Sequence, residues 1–290
     1  HTFGTVFDRN DKNQVEHVLN ISMDITERVK AEKILLRRTS ELQQSNANLE
    51  EFAFVTSHDL KEPLRKIITF SDRLRVKERP NLSEEGVMYL DKIMNSCMRM
   101  QQMISDLLSL SVIAADKTFT RVNLQKLLQE VLLTLEYKME ETRAHIQCAG
   151  LPEAYVVPAQ FRQLFQNLIG NSLKFARQDT PPVITIRYSF PTAQDVAGYA
   201  LPLSERYLLL EFEDNGIGFD NAFVDRIFAI FQRLHQRESY EGTGIGLAIC
   251  KKIVENHNGV IVAKGFPEQG AKFTIIIPQS LPLGTTEEAP

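Results

Sequence analysis

The sequence predicts a multidomain protein: an all-α helical hairpin followed by an α+β domain with a glycine-rich ligand site. Three observations predict it. Leu35, Leu42 and Leu49 recur every seven residues, which is helical seam spacing. One short run, Arg79-Pro80-Asn81-Leu82-Ser83, interrupts a helical pattern that otherwise extends to about Val112. Beyond Thr120, short strand-like stretches alternate with helical ones, and glycines cluster at two places.

Bulk properties narrow the class. A chain of 290 residues is long enough for two folded units and connecting helices. Its formal net charge of -4 argues against nucleic-acid binding through bulk electrostatics. Cys97, Cys148 and Cys250 match no CxxC or zinc spacing and read as reduced thiols. The six histidines form no HExxH or other ligand cluster. No apolar run reaches about 18 residues, so the chain is expected to lack a membrane segment and to work in the cytoplasm. It starts at His1 without Met and reads as a fragment, so the full-length protein could carry a membrane tether upstream.

Each element has a local reason. Gly4–Phe7 and Val15–Met23 are β-like and flank the turn-like run Asp8-Arg9-Asn10-Asp11. They cannot bury a core alone and read as the last strands of a truncated domain. Thr26-Glu27-Arg28 opens a charged helix that continues to about Lys77, and Ser83 is a good N-cap for the next helix. Two long helices around a short loop make an αα-hairpin, and pairing two copies would give a four-helix bundle. Further helices are expected over Leu124–Glu140, Ala159–Arg177 and up to Asn256. Strands are expected at His145–Cys148, Val183–Phe190, Tyr207–Asp214, Val260–Lys264 and Lys272–Ile277.

Four constellations carry chemistry. The first is Ser57-His58-Asp59-Leu60-Lys61-Glu62-Pro63-Leu64. With about 100° per residue, Leu49, Ala53, Leu64, Ile67 and Leu74 lie within roughly 40° of Leu60 and predict a buried stripe. His58 falls roughly 160° away and is expected in solvent. An exposed neutral imidazole accepts a phosphoryl group well, and Asp59 can take or orient its proton. Pro63 denies the Asp59 carbonyl its helical donor, so a bend is expected there.

The second is Asn167-Leu168-Ile169-Gly170-Asn171-Ser172-Leu173-Lys174-Phe175. Gln160, Gln163, Asn167, Asn171 and Lys174 share a polar strip about 80° wide. Amide oxygens suit Mg²⁺, and a lysine suits phosphate. A merely solvated helix face is the competing reading. The third, Asp214-Asn215-Gly216-Ile217-Gly218-Phe219, puts a carboxylate at a strand end where glycines let a base approach. Such a carboxylate can accept the exocyclic amine of adenine. Asp-Asn-Gly is equally a good turn. The fourth, Gly242-Thr243-Gly244-Ile245-Gly246-Leu247, opens a helix and offers backbone amides to phosphate. It follows no βαβ strand and lacks the GKS/T ending of a P-loop. Between the glycine segments, Ile227-Phe228-Ala229-Ile230-Phe231 and a polar run have the composition of a mobile lid.

In this order and spacing the set resembles the sensor histidine kinases of two-component systems, over roughly residues 45–278. His58 and Pro63 resemble the H box, Asn167–Phe175 the N box, and Asp214–Gly218 and Gly242–Gly246 the glycine boxes. Phe228 and Phe231 resemble the F box, and Gly270-Ala271-Lys272-Phe273 the small closing glycine motif. The wording around His58 and at Phe231-Gln232-Arg233-Leu234-His235 is most similar to phytochrome-like kinases. The resemblance implies a dimeric hairpin domain followed by an α/β sandwich of the Bergerat (GHKL) type. It implies a truncated PAS-like end at residues 1–24, a helical connector at 25–48 and a dimerisation and phosphotransfer domain at 49–113. A linker at 114–120, an ATP-binding domain at 121–279 and a disordered tail at 280–290 complete the expected order.

The resemblance also implies roles. His58 is phosphoacceptor and Asp59 the base. ATP and Mg²⁺ are the cofactors, with Asn171 as metal ligand. Asn167, Asn171, Lys174, Phe175, Asp214, Gly216, Gly218, Phe231, Arg233, Gly242, Thr243, Gly244, Gly246, Leu247 and Thr274 are expected around the nucleotide, with Arg237 a further lid cation. The partners implied are a second copy, a response regulator receiver domain and an upstream sensor domain on the same chain. Many family members place Thr or Asn where this chain has Glu62, which implies weak phosphatase activity. A non-kinase Bergerat-fold ATPase and a phosphotransfer scaffold are the alternatives.

Overall fold

A computed structural model describes residues 2–9, 11, 15–115, 118–199, 201–202, 206–232 and 242–279. The side chains at 2–9, 15–22, 42–43, 45–55, 58, 111–112, 114–115 and 193 lie outside the description. The chain divides into two units, His1–Ala53 and Phe54–Pro290.

In the first unit, β1 (Thr2–Arg9) and β2 (Val15–Ser22) pair antiparallel, with a register shift at Asp8. Helix α1 (Thr26–Lys77) starts where the Asp24 carboxylate accepts the Thr26 amide at 2.9 Å. Ile34, Leu35 and Leu36 on it are exposed.

In the second unit α1 continues without interruption through Pro63, so the proline does not end the helix. A single 3₁₀ turn, Arg79–Asn81, reverses the chain. Helix α2 (Glu84–Ala115) then begins, and Ser83 Oγ accepts the Gly86 amide at 3.1 Å, the expected capping bond. Arg75 ties the two helices by reaching Asp72 at 2.8 Å and Asp91 at 3.2 Å.

The hairpin corrects the expected stripe on α1. Ser57 and Ser71 are buried and Leu64 is half-buried, whereas Leu60, Ile67 and Leu74 remain 50%, 43% and 47% exposed. The covered sector is centred about 60° from Leu60, so α2 shields only one edge of the apolar stripe. A stripe wider than one partner can cover leaves its other half open. Leu49, Ala53 and the orientation of His58 lie outside the described side chains.

The expected linker is partly structure. Ile113 is 3% exposed and belongs to the core of the following domain, and Phe119 is buried too. Strand β3 (Thr120–Asn123) pairs antiparallel with β5 (Glu153–Val156), two four-residue strands too short to announce themselves in the sequence. Between them lie α3 (Leu124–Thr142), capped by Asn123, and β4 (His145–Cys148). Helix α4 (Pro158–Lys174) opens with proline at its first position, where no amide proton is needed. Strand β6 (Val183–Ser189), the short α5 (Ala193–Val196) and β7 (Tyr207–Asp214) follow. A four-residue α6 (Val224–Ile227), α7 (Gly246–Asn256), β8 (Val260–Phe266) and β9 (Gly270–Pro278) complete the domain.

The sheet order is β4-β6-β7-β9-β8, with only β4 and β6 parallel. Alternation makes it two-faced. Leu208, Leu210 and Phe212 of β7, with Phe273, Ile275 and Ile277 of β9, join one core with α3, α4 and α7. On the other face Glu211 pairs with Lys272 and Arg187 with Glu213. The result is an α/β sandwich that ends its central strand β7 at Asp214.

A buried joint anchors the helices. His257 Nε2 accepts the Val157 amide at 3.0 Å and its Nδ1 donates to the Ile253 carbonyl at 2.7 Å, which assigns the neutral tautomer. Phe119 and Phe161 meet the ring edge-on, each with centroids at 4.9 Å. His257→Ala leaves a buried amide and a carbonyl without this partner. It is expected to lower stability by about 1–3 kcal/mol, visible as a lower Tm, with His257→Gln losing less.

Candidate functional site

A cavity of about 280 Å³ opens between α4, the end of β7, the start of β9 and the segment leading into α7. Asn167, Asn171, Lys174, Phe175, Asp214, Gly218, Gly242, Thr243, Gly244, Gly246 and Leu247 all line it. Three of the four sequence constellations, those around Asn167, Asp214 and Gly242, therefore converge on one place. Ile227, Phe219, Gln232, Ala271 and Phe273 add apolar and polar wall, and Gln102 and Asp106 of α2 close one side.

Asp214 marks one end. Its Oδ1 accepts the amides of Gly216 at 3.0 Å and Ala271 at 3.2 Å, and its Oδ2 accepts the Ser172 hydroxyl at 3.0 Å. A carboxylate has about four acceptor positions, so three donors leave room for one more. Burial pushes the Asp214 carboxyl above the usual carboxylate range, and those three hydrogen bonds oppose the rise. Asn215 is a strut: it accepts the Val183 amide at 2.8 Å and donates to the Pro181 carbonyl at 3.1 Å.

Backbone packing around Asp214 is tight. Gly270 has φ of 119°, and a Cβ there would strike the Asp214 carbonyl. Gly270→Ala thus combines a strained φ with a backbone collision. It is expected to lose several kcal/mol, about enough to leave the domain largely unfolded, which circular dichroism on heating would show.

The other end is positive and donor-rich. Helix α7 begins at Gly246, so its first amides point out of the helix beside Gly244 and Thr243. Lys174, at the end of α4, sits 4.2 Å from the Phe175 ring centroid, and a Cβ on Gly242 would come within 2.7 Å of its Nζ. A base at Asp214 and a polyphosphate toward Lys174 and α7 match this polarity. Mg²⁺ fits the same donor set: Asn171, whose side chain carries a hard amide oxygen, lines the cavity, and Mg²⁺ needs only one or two protein donors beside phosphates and water. Asn167 lines the same cavity while its amide donates to the Gly246 carbonyl at 3.2 Å and meets the Cys250 thiol. Burial pushes that thiol up to about 12, so Cys250 is an inert core group.

Some expected residues fall elsewhere. Gln160, on the polar strip by helical count, is 4% exposed and turned from the cavity. Its amide donates to the Ile113 carbonyl at 3.2 Å and accepts from Asn256 at 2.9 Å, so it fastens α2 to α4 and α7. Phe231 is 58% exposed with φ of 63° and holds Gly244 through its amide at 3.1 Å, while Ile227 takes the apolar lining position. Thr274 is buried in β9 away from the cavity, and Gly216 supports Asp214 without lining it. Arg233 and Arg237 lie outside the described residues, as does the side chain of His58; Asp59 is exposed. Ser172 was not singled out from the sequence, although a serine on the otherwise apolar buried face of α4 is a signal that could have found it; Gln102 and Asp106 had no signal, because only tertiary contact brings α2 here.

Comparison with known proteins agrees with this geometry. Residues 48–115 match the His Kinase A (phospho-acceptor) domain, and residues 156–281 match the histidine kinase-, DNA gyrase B- and HSP90-like ATPase domain. The phytochrome-like protein Cph1 of Synechocystis sp. is 36% identical over 84% of this chain and 32% of its own length. Cyanobacterial phytochrome A of Nostoc sp. is 37% identical over 84% of this chain and 31% of its own length. The chain thus spans about a third of the length of these relatives. The structure of full-length ShkA in complex with AMPPNP superposes with a TM-score of 0.59 at 21% identity, covering 80% of this chain and 46% of that one. That of ThkA in complex with the response regulator protein TrrA gives 0.51 at 21% identity, over 96% and 75%. With a phospho-acceptor helical hairpin joined to a GHKL-type ATPase sandwich, this chain belongs to the sensor histidine kinases.

Proposed function

We propose that this chain is the kinase core of a sensor protein, transferring the γ-phosphoryl group of ATP to His58 and then to an aspartate of a response regulator. The observation that carries it is the polarised cavity. A carboxylate with one acceptor position to spare stands at one end, and a lysine with a helix N-terminus stands at the other. Asp214 accepts the adenine amine, where guanine would present an acceptor instead. Lys174 and the amides near Gly244 and Gly246 hold phosphate oxygens. When bound, Mg²⁺ at Asn171 offsets phosphate charge. A ring nitrogen of His58 attacks the γ-phosphorus; the N–P bond forms as the P–O bond to ADP breaks, and the imidazole proton passes to Asp59.

Two copies complete the hairpin as a four-helix bundle. The open half of the α1 stripe (Leu60, Ile67 and Leu74) with Met88, Ile93, Met100 and Leu107 on α2 is the apolar surface that a second copy covers. The β1–β2 hairpin leading into α1 is read as the end of a PAS-like sensor domain, and α1 as the connector that carries its signal. A cytoplasmic setting suits these parts, and among the described residues no helix is long and apolar enough to cross a membrane.

Radiolabelled ATP separates this reading from a plain ATPase. Acid-labile, alkali-stable label on the protein is expected; steady phosphate release without labelled protein would replace the kinase by an ATPase. A second expectation concerns Glu62, whose carboxyl group lies 2.9 Å from the Lys66 ammonium and stands where many family members place a neutral Thr or Asn. Phosphate release from the phosphorylated regulator is expected to be slow with ADP and this protein, and faster in Glu62→Thr. Rapid release abolished by removing Glu62 would contradict it.

A further inference from the structure

Asp106 lies on α2, outside every motif of the ATPase domain, yet it lines the cavity. Both of its oxygens are engaged. Oδ2 accepts the Thr243 hydroxyl at 2.6 Å, and Oδ1 accepts the Gln102 side-chain amide at 2.7 Å. Thr243 Oγ1 in turn accepts the Ile245 amide at 3.4 Å, so its own proton is committed to Asp106. Thr243 precedes α7 by three residues and neighbours Gly242, beside which Lys174 Nζ sits. The carboxylate therefore occupies the donor-rich end of the cavity, opposite Asp214.

That end is where the proposed nucleotide puts its phosphates, and an anion already stands there. A helix N-terminus and a nearby lysine favour negative charge. A fixed carboxylate at the same place uses part of that field and repels a second anion. The repulsion grows with the number of phosphates, because the γ-phosphate adds charge that the β-phosphate does not.

We propose that Asp106 is a built-in competitor for the polyphosphate, setting how strongly the docked form of this chain prefers a nucleotide of lower charge. The proposal rests on the nucleotide reading of the cavity. A triphosphate then enters fully only as the Thr243–Asp106 bond opens. By linkage, whatever moves α2 away from Thr243 raises ATP affinity by the same factor that ATP favours its departure. Asp106 is thus a positioning residue that couples the phosphate-accepting hairpin to the occupancy of the ATP site.

Isothermal titration of the whole chain with ATP, ADP and AMP tests this, for wild type, Asp106→Asn, Asp106→Ala and the exposed control Glu84→Gln. Asp106→Asn keeps an acceptor for Thr243 and removes only the charge. It is expected to tighten ATP binding by about tenfold, ADP by about threefold and AMP hardly at all. Asp106→Ala should follow the same order, and Glu84→Gln should match wild type. Equal changes for all three nucleotides, or none, would overturn the proposal. Weaker ATP binding in both Asp106 variants with Mg²⁺ present would overturn it as well, since Asp106 would then be helping to hold the cation. A folded wild type that binds no adenine nucleotide would remove the nucleotide reading and this proposal together, which is distinguishable from binding that ignores Asp106.

Discussion

Asp214→Asn is expected to weaken adenine nucleotide binding by about 10- to 100-fold, the equivalent of roughly 1.5–3 kcal/mol for a hydrogen bond to a charged group. The substitution turns an acceptor into a donor at the oxygen that faces Ser172, or at the one that faces Gly216 and Ala271. The local network supports the first choice. Asn Oδ1 keeps both amides, and Ser172, whose one hydroxyl proton can turn to the Leu168 carbonyl 3.2 Å away, can accept from the new amide. What is lost is the position for the adenine amine.

The same variant is expected to gain or hold stability. Burial raises the Asp214 carboxyl, so the folded chain binds that proton more readily than the unfolded chain does. The sign follows: stability falls as pH climbs from the ordinary carboxylate range through the raised value, and the cost is complete above it. Asparagine carries no such cost. Thermal scans of the nucleotide-free protein should show Asp214→Asn at or above wild type near about pH 7, the gap closing toward about pH 4 as the wild-type carboxyl protonates. A large loss of Tm at neutral pH would mean that Asp214 is a structural anchor first.

Ile67→Lys is expected to convert a dimer into a monomer. Ile67 is 43% exposed on the open half of the stripe, flanked one and two turns away by Leu60, Leu64 and Leu74. In a two-fold bundle a substitution enters twice, and like charges approach each other across the axis. An uncompensated charge in a dry interface costs about 3 kcal/mol or more, so the dimer dissociation constant should rise by at least about 100-fold. Val76 is the control: it is 67% exposed, and the helical count places it about 160° from Leu60. Val76→Lys should leave the dimer intact. Sedimentation equilibrium distinguishes the two; a dimer unaffected by Ile67→Lys would mean that the stripe is covered by something other than a second copy.

Much of the sandwich was legible because its signals are local. Strands β4 and β7 fall on the expected residues, and Asp214 stands at the strand end that the Asp-Asn-Gly run implied. The short pair β3 and β5 was not legible, since four residues hold too little alternation to distinguish a strand from a loop. The polar strip on α4 shows a different limit. Helical count places Gln160 with Asn171 and Lys174, but the count assigns an azimuth, not a neighbour. Three turns before Asn171, the neighbours of Gln160 are Ile113 and Asn256 rather than the cavity. The α1 stripe failed in the same way: its apolar width was read correctly, and which half α2 covers was a matter of docking. Gln102 and Asp106 belong to a helix whose sequence says only that it pairs with another helix. Their place at the cavity is a tertiary fact.

His58 is the decisive residue, since the cavity serves as a kinase site only if its phosphoryl group reaches that imidazole. The most direct measurement is phosphoryl transfer from radiolabelled ATP to wild type and His58→Gln side by side, with nucleotide binding measured on both. Acid-labile, alkali-stable label is expected on wild type and none on His58→Gln, with unchanged nucleotide affinity in the variant. Label retained by His58→Gln would contradict it, because the acceptor would then be another residue.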